Sequence, residues 1–187
     1  IVYKATEEER RNFNLGTELT RFMWDEPFYS RILRSLDKRE TETISTAGVS
    51  CGSDNITLFW NRDFMASLSK ARIKGLLIHE CLHLLYKHTT ERRKDPHLIW
   101  NWATDLAINS LIPIRNLPKG GLVPGRRLAS LSSDDKKNME PEQIERYYKI
   151  SSLIASLEPN KTSEYYFEIL KNDEDVQSHV KESTVYT

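Results

Sequence analysis

The segment from Ser69 to about Lys87 constrains the fold more than any other part of the chain. Apolar residues cover most of its circumference when it is drawn as a helix, and a helix that is apolar nearly all round is a buried one. Ser67 or Ser69 can cap its first turn. We therefore predict a buried central helix. Its apolar positions are Ile73, Leu76, Leu77, Ile78, Leu82, Leu84 and Leu85.

Ionisable residues interrupt this apolar stretch in the pattern His79-Glu80-Cys81-Leu82-His83. Two histidines at i and i+4 project from one helical face about 6 Å apart, so their imidazoles can converge on one tetrahedral Zn²⁺. Glu80 lies one position round the helix and can reach a metal-bound water without being a ligand. Burying such groups without partners costs several kcal/mol, which a bound metal would offset. The competing interpretation is that both histidines only make hydrogen bonds at the edge of the core.

A catalytic zinc site usually has three protein ligands and one open position for water. The candidates for the third ligand are Asp105, His88 and His97. On a continuous helix His88 lies roughly 180° round from His79, so it can reach the metal only if the helix breaks near Tyr86. Asp105 lies on the next predicted helix and is the candidate that we prefer.

Patterns elsewhere predict an α+β protein. The first forty residues read as two helices, of which the second begins at Pro27. β-Branched and aromatic residues dominate from Thr41 to Asn61, interrupted by the turn residues Gly52-Ser53-Asp54-Asn55. We predict a β-hairpin there, with Ile56–Trp60 as its second strand.

The second half of the chain is predicted to be helical around one long loop. One helix runs from about His97 to Leu111 and another begins at Pro141. Residues 112–139 between them form an irregular loop, and such loops in compact domains are often functional. The 187 residues fit one domain with an appendage. We assign residues 1–150 to the domain, including the N-terminal helices, and residues 151–187 to a helical extension with a loose tail.

Composition argues against several classes of function. Lys plus Arg and Asp plus Glu both number 27, so the formal net charge is zero and we expect no nucleic-acid partner. No apolar run approaches the roughly 20 residues that cross a bilayer, and the first ten residues do not resemble an export signal, so we expect no membrane association. Cys51 and Cys81 are too few for a secreted disulfide framework. We therefore expect a cytoplasmic protein.

Residues from about 55 to 150 resemble the metallopeptidase family whose members commonly join a zincin-like N-terminal domain to a von Willebrand factor A domain. The strongest part of the resemblance is the histidine motif combined with the helix that carries Asp105. The shared features are His79-Glu80 with His83, Asp95-Pro96, the helix Trp100-Asn101-Trp102-Ala103-Thr104-Asp105 ending near Asn109, Leu117-Pro118 with Gly120, and Glu142-Gln143-Ile144 with Tyr147 or Tyr148.

The resemblance implies a zincin-like fold, in which helices surround a small, mostly antiparallel sheet and the HExxH motif lies on the buried central helix. It implies Zn²⁺ as the cofactor, with His79, His83 and Asp105 as metal ligands and Glu80 as the general base. A von Willebrand factor A domain or an AAA+ ATPase is implied as a partner, and a protein or peptide as the substrate.

On this interpretation the chain hydrolyses peptide bonds. Zn²⁺ lowers the pKa of its bound water toward about 7, and Glu80 transfers the water's proton to the leaving amine. We expect the substrate to lie extended along the Ile56–Trp60 strand as an added strand at the sheet edge. The candidates for a donor to the oxyanion are His97, Tyr86 and Arg115.

Asn101 and Asn109 lie one turn either side of Asp105, so they can hold its carboxylate or the histidine rings by hydrogen bonds. Plain helix capping or solvation is the alternative for both residues.

Two other functions compete with the peptidase. One is a zinc-stabilised binding or scaffolding module without turnover, and the other is a metal-free helical interaction domain in which the motif arises by chance. Glu80 argues against the first, because a purely structural zinc site has no use for that carboxylate and usually closes its fourth position with another His or Cys.

Overall fold

The computed structural model describes residues 4–185, with side chains described as far as residue 182. The fold of this part is α+β. The helices are α1 (Glu7–Asn12), α2 (Leu15–Asp25), α3 (Pro27–Arg34), α4 (Arg62–Ser67), α5 (Lys70–Leu85), α6 (His97–Asn109), α7 (Ser133–Lys137), α8 (Pro141–Ser156), α9 (Ser163–Asn172) and α10 (Glu174–Val185). The strands are β1 (Asp37–Glu40), β2 (Ala47–Cys51) and β3 (Ile56–Trp60), and a short 3₁₀ turn spans Ile114–Asn116.

The chain divides into two compact units. The N-terminal unit comprises the residues up to Arg92 together with Ile112–Pro118, and the C-terminal unit comprises Arg93–Leu111 together with the residues from Lys119 onward. The division of the chain near residue 150 stays a prediction.

The predicted β-hairpin is confirmed. β2 and β3 pair antiparallel, and the connecting turn is closed by the Gly52 N–H, which donates to the Asn55 carbonyl at 3.0 Å. The signal for this arrangement comes from the turn residues and from β3, which is rich in β-branched and aromatic side chains, whereas β2 has the sequence Ala-Gly-Val-Ser-Cys.

The sheet is mixed, so the prediction of a mostly antiparallel sheet is wrong. Its strand order is β1-β3-β2, and β1 pairs parallel with β3. The chain passes from one edge to the other round the end of β3, where Thr41 donates its N–H to Trp60 and Thr46 accepts from Asn61. β1 has the wholly polar sequence Asp-Lys-Arg-Glu, which carries no alternating pattern from which a strand could be predicted.

This topology also corrects the expected place of the substrate. β3 (Ile56–Trp60) is the central strand with a neighbour on each side, so its backbone groups are already paired and an added strand cannot join it. Only strands at an edge of a sheet present unpaired backbone groups. The edges of this sheet are β1 and β2.

The N-terminal helices α1 and α3 begin at residues that suit a first helical turn. Thr6 and Glu9 form a capping box, and Pro27 occupies the first turn of α3. The first predicted helix is divided in two, because Asn14 caps α2 by accepting from the Thr17 N–H at 3.0 Å. Phe22 and Leu33 bring these helices into the core of the unit.

Helix α5 begins at the predicted cap, since the Ser69 Oγ accepts from the Arg72 N–H at 3.4 Å. Its apolar face packs into the core of the N-terminal unit through Ile73, Leu76 and Leu77. Gly75 allows a close approach to the 3₁₀ turn, because a Cβ at this position would lie 2.0 Å from the Asn116 carbonyl oxygen.

The C-terminal unit has its own core, formed mainly by α6, α8, α9 and α10. Trp100 of α6 packs edge-on against Phe167 of α9, with ring centroids 5.7 Å apart. Val176 and Val180 are buried in the same core, which explains why residues 174–185 are helical despite their polar composition. Among the helices of the described chain, none has both the length and the apolar character that crossing a bilayer requires.

Candidate metal centre

Helix α5 presents His79 and His83 on one face, as the i, i+4 spacing predicts. Their Nε2 atoms lie 2.9 Å apart, and the ring planes are inclined at 75°. Two nitrogen ligands of one tetrahedral zinc, each at about 2.0–2.1 Å from it, are roughly 3.3 Å apart. A small rotation of either ring therefore admits the ion. The same 2.9 Å separation suits a hydrogen bond between the imidazoles, which is the competing interpretation.

Asp105 lies on α6 and is half-buried. Each of His79, His83 and Asp105 offers one ligand atom to a metal ion. A set of two imidazoles and one carboxylate fits Zn²⁺ and leaves a fourth position for water.

Glu80 is 4% exposed. Its Oε2 accepts a hydrogen bond from the Val49 N–H of β2 at 3.0 Å. Thr46 and Gly52, which flank β2, form backbone hydrogen bonds with the residues that flank β3. Alternate residues of an antiparallel strand face the partner strand, so the Val49 N–H points away from β3, outward from the edge of the sheet. The carboxylate is thus fixed to the edge strand, one residue along α5 from His79. This contact joins residues that are 31 positions apart, and no local sequence signal could have revealed it.

Helix α5 ends near Tyr86. Such an end is the condition under which His88 could have bound the metal directly. Tyr86 is the C-cap of α5, and the chain then turns His88 back toward His83, with the two Nδ1 atoms 3.4 Å apart. His88 therefore lies beside the Nδ1 of His83, whereas the Nε2 of His83 faces His79. The choice of Asp105 as the third ligand stays a prediction.

His97, Asn101 and Asn109 are the other candidate residues on α6. His97 and Asn101 are exposed, and the Asn101 Nδ2 lies 3.5 Å from the His97 Nε2. Asn109 is buried, and its Nδ2 donates to the Leu122 carbonyl at 2.8 Å. Asn109 therefore anchors the first part of the long loop that follows α6.

Two of the candidate oxyanion donors can be placed within the N-terminal unit. Arg115 lines a cavity of about 300 Å³ with Lys70 and Lys74 at the start of α5. Tyr86 is 40% exposed and its ring packs against that of His88.

Comparison with known proteins identifies the family. A family model described as "Putative metallopeptidase domain" matches residues 14–154. An uncharacterized protein of Thermotoga maritima is 28% identical over 94 residues, which cover 48% of this chain and 23% of that protein. The matched segment thus spans less than a quarter of that relative's length. No solved structure matches the chain. Because the family model covers most of its residues, the chain belongs to the family described as putative metallopeptidase domain.

Proposed function

We propose that this protein is a zinc-dependent metallopeptidase with a zincin-like fold. His79, His83 and Asp105 hold the metal, and Glu80 is the general base. The observation that carries the proposal is the pair of imidazoles on one face of α5, His79 and His83, whose Nε2 atoms lie 2.9 Å apart. The family to which the chain belongs supports a metal-dependent hydrolase.

The donor set favours zinc over other common ions. Imidazole suits zinc and several transition metals, whereas Mg²⁺ and Ca²⁺ prefer sites made of oxygen ligands alone. When bound, zinc supplies an activated water and a Lewis acid that polarises the scissile carbonyl.

Glu80 carries the proton transfers in this proposal. It takes the proton from the attacking water and delivers it to the leaving amine, which is the role of a general base that then acts as an acid. The Val49 N–H holds one carboxylate oxygen, so the side chain is oriented before substrate binds. Such preorganisation avoids a reorientation cost during the reaction.

We place an extended peptide substrate along β2, because this edge strand contacts Glu80 directly. Alternate residues of β2 turn their backbone groups away from β3, so the N–H and C=O groups of Ala47 and Cys51 point outward as those of Val49 do. A peptide added there gains backbone hydrogen bonds next to the general base, which is how strand addition gives affinity with little dependence on sequence.

The setting of the protein is also part of the proposal. Both cysteines are free, which agrees with a reducing cytoplasm. A von Willebrand factor A domain or an AAA+ ATPase as partner rests on the family resemblance alone.

The test is peptide hydrolysis by the zinc-loaded protein against the Glu80→Gln variant. Wild type should cleave members of a peptide library, lose activity with a chelator and regain it with added zinc. Glu80→Gln should bind zinc equally and lose turnover by about 10²–10⁴-fold, the usual contribution of general base catalysis. Peptide binding without cleavage by wild type would instead favour a zinc-stabilised scaffolding module.

A further inference from the structure

We propose that His88 is a positioning residue that fixes the ring of His83 and thereby directs the His83 Nε2 toward the metal. This inference rests on the metal-binding part of the proposed function. It concerns how the ligand is held and does not depend on turnover.

The two nitrogens of His83 face different partners. Its Nε2 lies 2.9 Å from the His79 Nε2, whereas its Nδ1 lies 3.4 Å from the His88 Nδ1. The second distance is at the long end of the range for a hydrogen bond. The rings of His83 and His88 meet edge to face, with centroids 5.4 Å apart and planes at 74°. His88 is 3% exposed, so the surrounding protein restricts its position.

The backbone after α5 is built to bring His88 to this place. Lys87 donates its N–H to Leu84 and His88 donates its N–H to His83, both at 3.0 Å. This pair of bonds is the Schellman arrangement, in which the residue after the C-cap adopts a left-handed conformation and is usually glycine. Here that residue is Lys87, with φ of 56°. A non-glycine residue in this conformation is uncommon and is often found at functional sites.

Metal binding at the His83 Nε2, together with the contact to His88, determines which tautomer each histidine adopts. A metal-bound Nε2 carries no proton, so neutral His83 must carry its proton on Nδ1. His83 therefore donates from Nδ1, and His88 must accept at its own Nδ1 and keep its proton on Nε2. Partners of this kind, bonded to the free nitrogen of a metal-ligating histidine, fix the ring's orientation, and their loss typically lowers metal affinity by about 10–100-fold.

The test compares zinc affinity in variants of the full chain, measured by competition with a chelating indicator. His88→Phe keeps an aromatic ring in the buried position but removes the acceptor, and we expect it to weaken zinc binding by about 10–100-fold. His88→Asn retains an acceptor and should recover part of the affinity. Lys87→Gly is the matched control, because it preserves the turn and should bind zinc as wild type does. Circular dichroism and thermal unfolding report whether each variant is folded.

A second measurement does not depend on the folding of any variant. Nitrogen NMR of the zinc-loaded wild type should show His83 protonated at Nδ1 and bound through Nε2. Ligation through Nδ1 would overturn the proposal, and so would wild-type zinc affinity in a folded His88→Phe variant. Zinc binding without peptide cleavage by wild type would contradict the peptidase function while leaving the role of His88 standing.

Discussion

The carboxylate of Glu80 accepts a hydrogen bond from the backbone N–H of Val49 at 3.0 Å. A single side chain therefore joins α5 to the edge strand β2. Because Glu80 is buried and Val49 N–H points away from its own sheet, this contact orients the carboxylate without using a bond of the strand ladder. The relationship makes the position of the proposed base dependent on the hairpin as well as on its own helix.

Removing the Val49 N–H should disturb the base without removing the metal. Val49→Pro deletes this donor, and proline is tolerated on an edge strand where the N–H faces outward. We expect turnover to fall by about tenfold or more because the carboxylate is misplaced, with unchanged zinc content. Val49→Ala is the control, since it truncates the same side chain but keeps the N–H. Equal losses in both variants would show that the effect comes from the Val49 side chain and not from the bond to Glu80.

Gly75 should not tolerate a side chain. A Cβ at Gly75 would lie 2.0 Å from the Asn116 carbonyl oxygen, whereas a Cβ at Gly48 would have nothing within 4 Å. Overpacking typically costs about 1–3 kcal/mol, so we expect Gly75→Ala to lower the free energy of unfolding by about this amount. Gly48→Ala should leave it unchanged or raise it slightly. Urea unfolding of the two variants measures the difference, and similar values would argue against the close approach of α5 and the 3₁₀ turn.

The two cysteines should differ strongly in reactivity. Cys81 is 0% exposed, and burial raises the pKa of its thiol to about 12. Cys51 is only partly buried, with its Sγ 3.2 Å from the Thr89 Oγ1. Since the thiolate is the reactive form, a thiol reagent at pH 8 should modify Cys51 first in the folded protein. The rapid reaction should vanish in Cys51→Ser and persist in Cys81→Ser. Rapid labelling of Cys81 would contradict its place in the core.

Acid should weaken the C-terminal unit through His179. Burial, with a smaller effect of the Arg146 charge, lowers the pKa of His179 from its ordinary value of 6.5. The unfolded chain then binds this proton at a higher pH than the folded protein, so the free energy of unfolding decreases as the pH falls below about 6.5. His179→Gln should remove this part of the pH dependence. Urea unfolding of both proteins between pH 5 and pH 8 measures it, and parallel curves would show that His179 does not contribute.

Local patterns in the sequence were enough to predict the elements that carry the site. The apolar circumference of α5, the Ser69 cap and the hairpin with its turn at Gly52–Asn55 all depend on residues close together in the chain. The spacing of His79 and His83 follows from helical geometry in the same way.

The features that could not be predicted depend on distant or unusual contacts. β1 is polar and pairs with a strand about twenty residues later, so neither its existence nor its parallel direction is visible in local periodicity. The turn that brings His88 back to His83 uses Lys87 at a positive φ, where glycine would have been the recognisable signal. The bond between Val49 and Glu80 forms only when the hairpin packs on α5.

The most direct test of the metal centre is a crystal structure of the zinc-loaded protein with anomalous scattering at the zinc edge. We predict one peak bound by the Nε2 atoms of His79 and His83 and by a carboxylate oxygen of Asp105, at about 2.0–2.2 Å, with solvent in the fourth position. A peak elsewhere, or a fourth protein ligand that closes the site, would contradict the proposed peptidase.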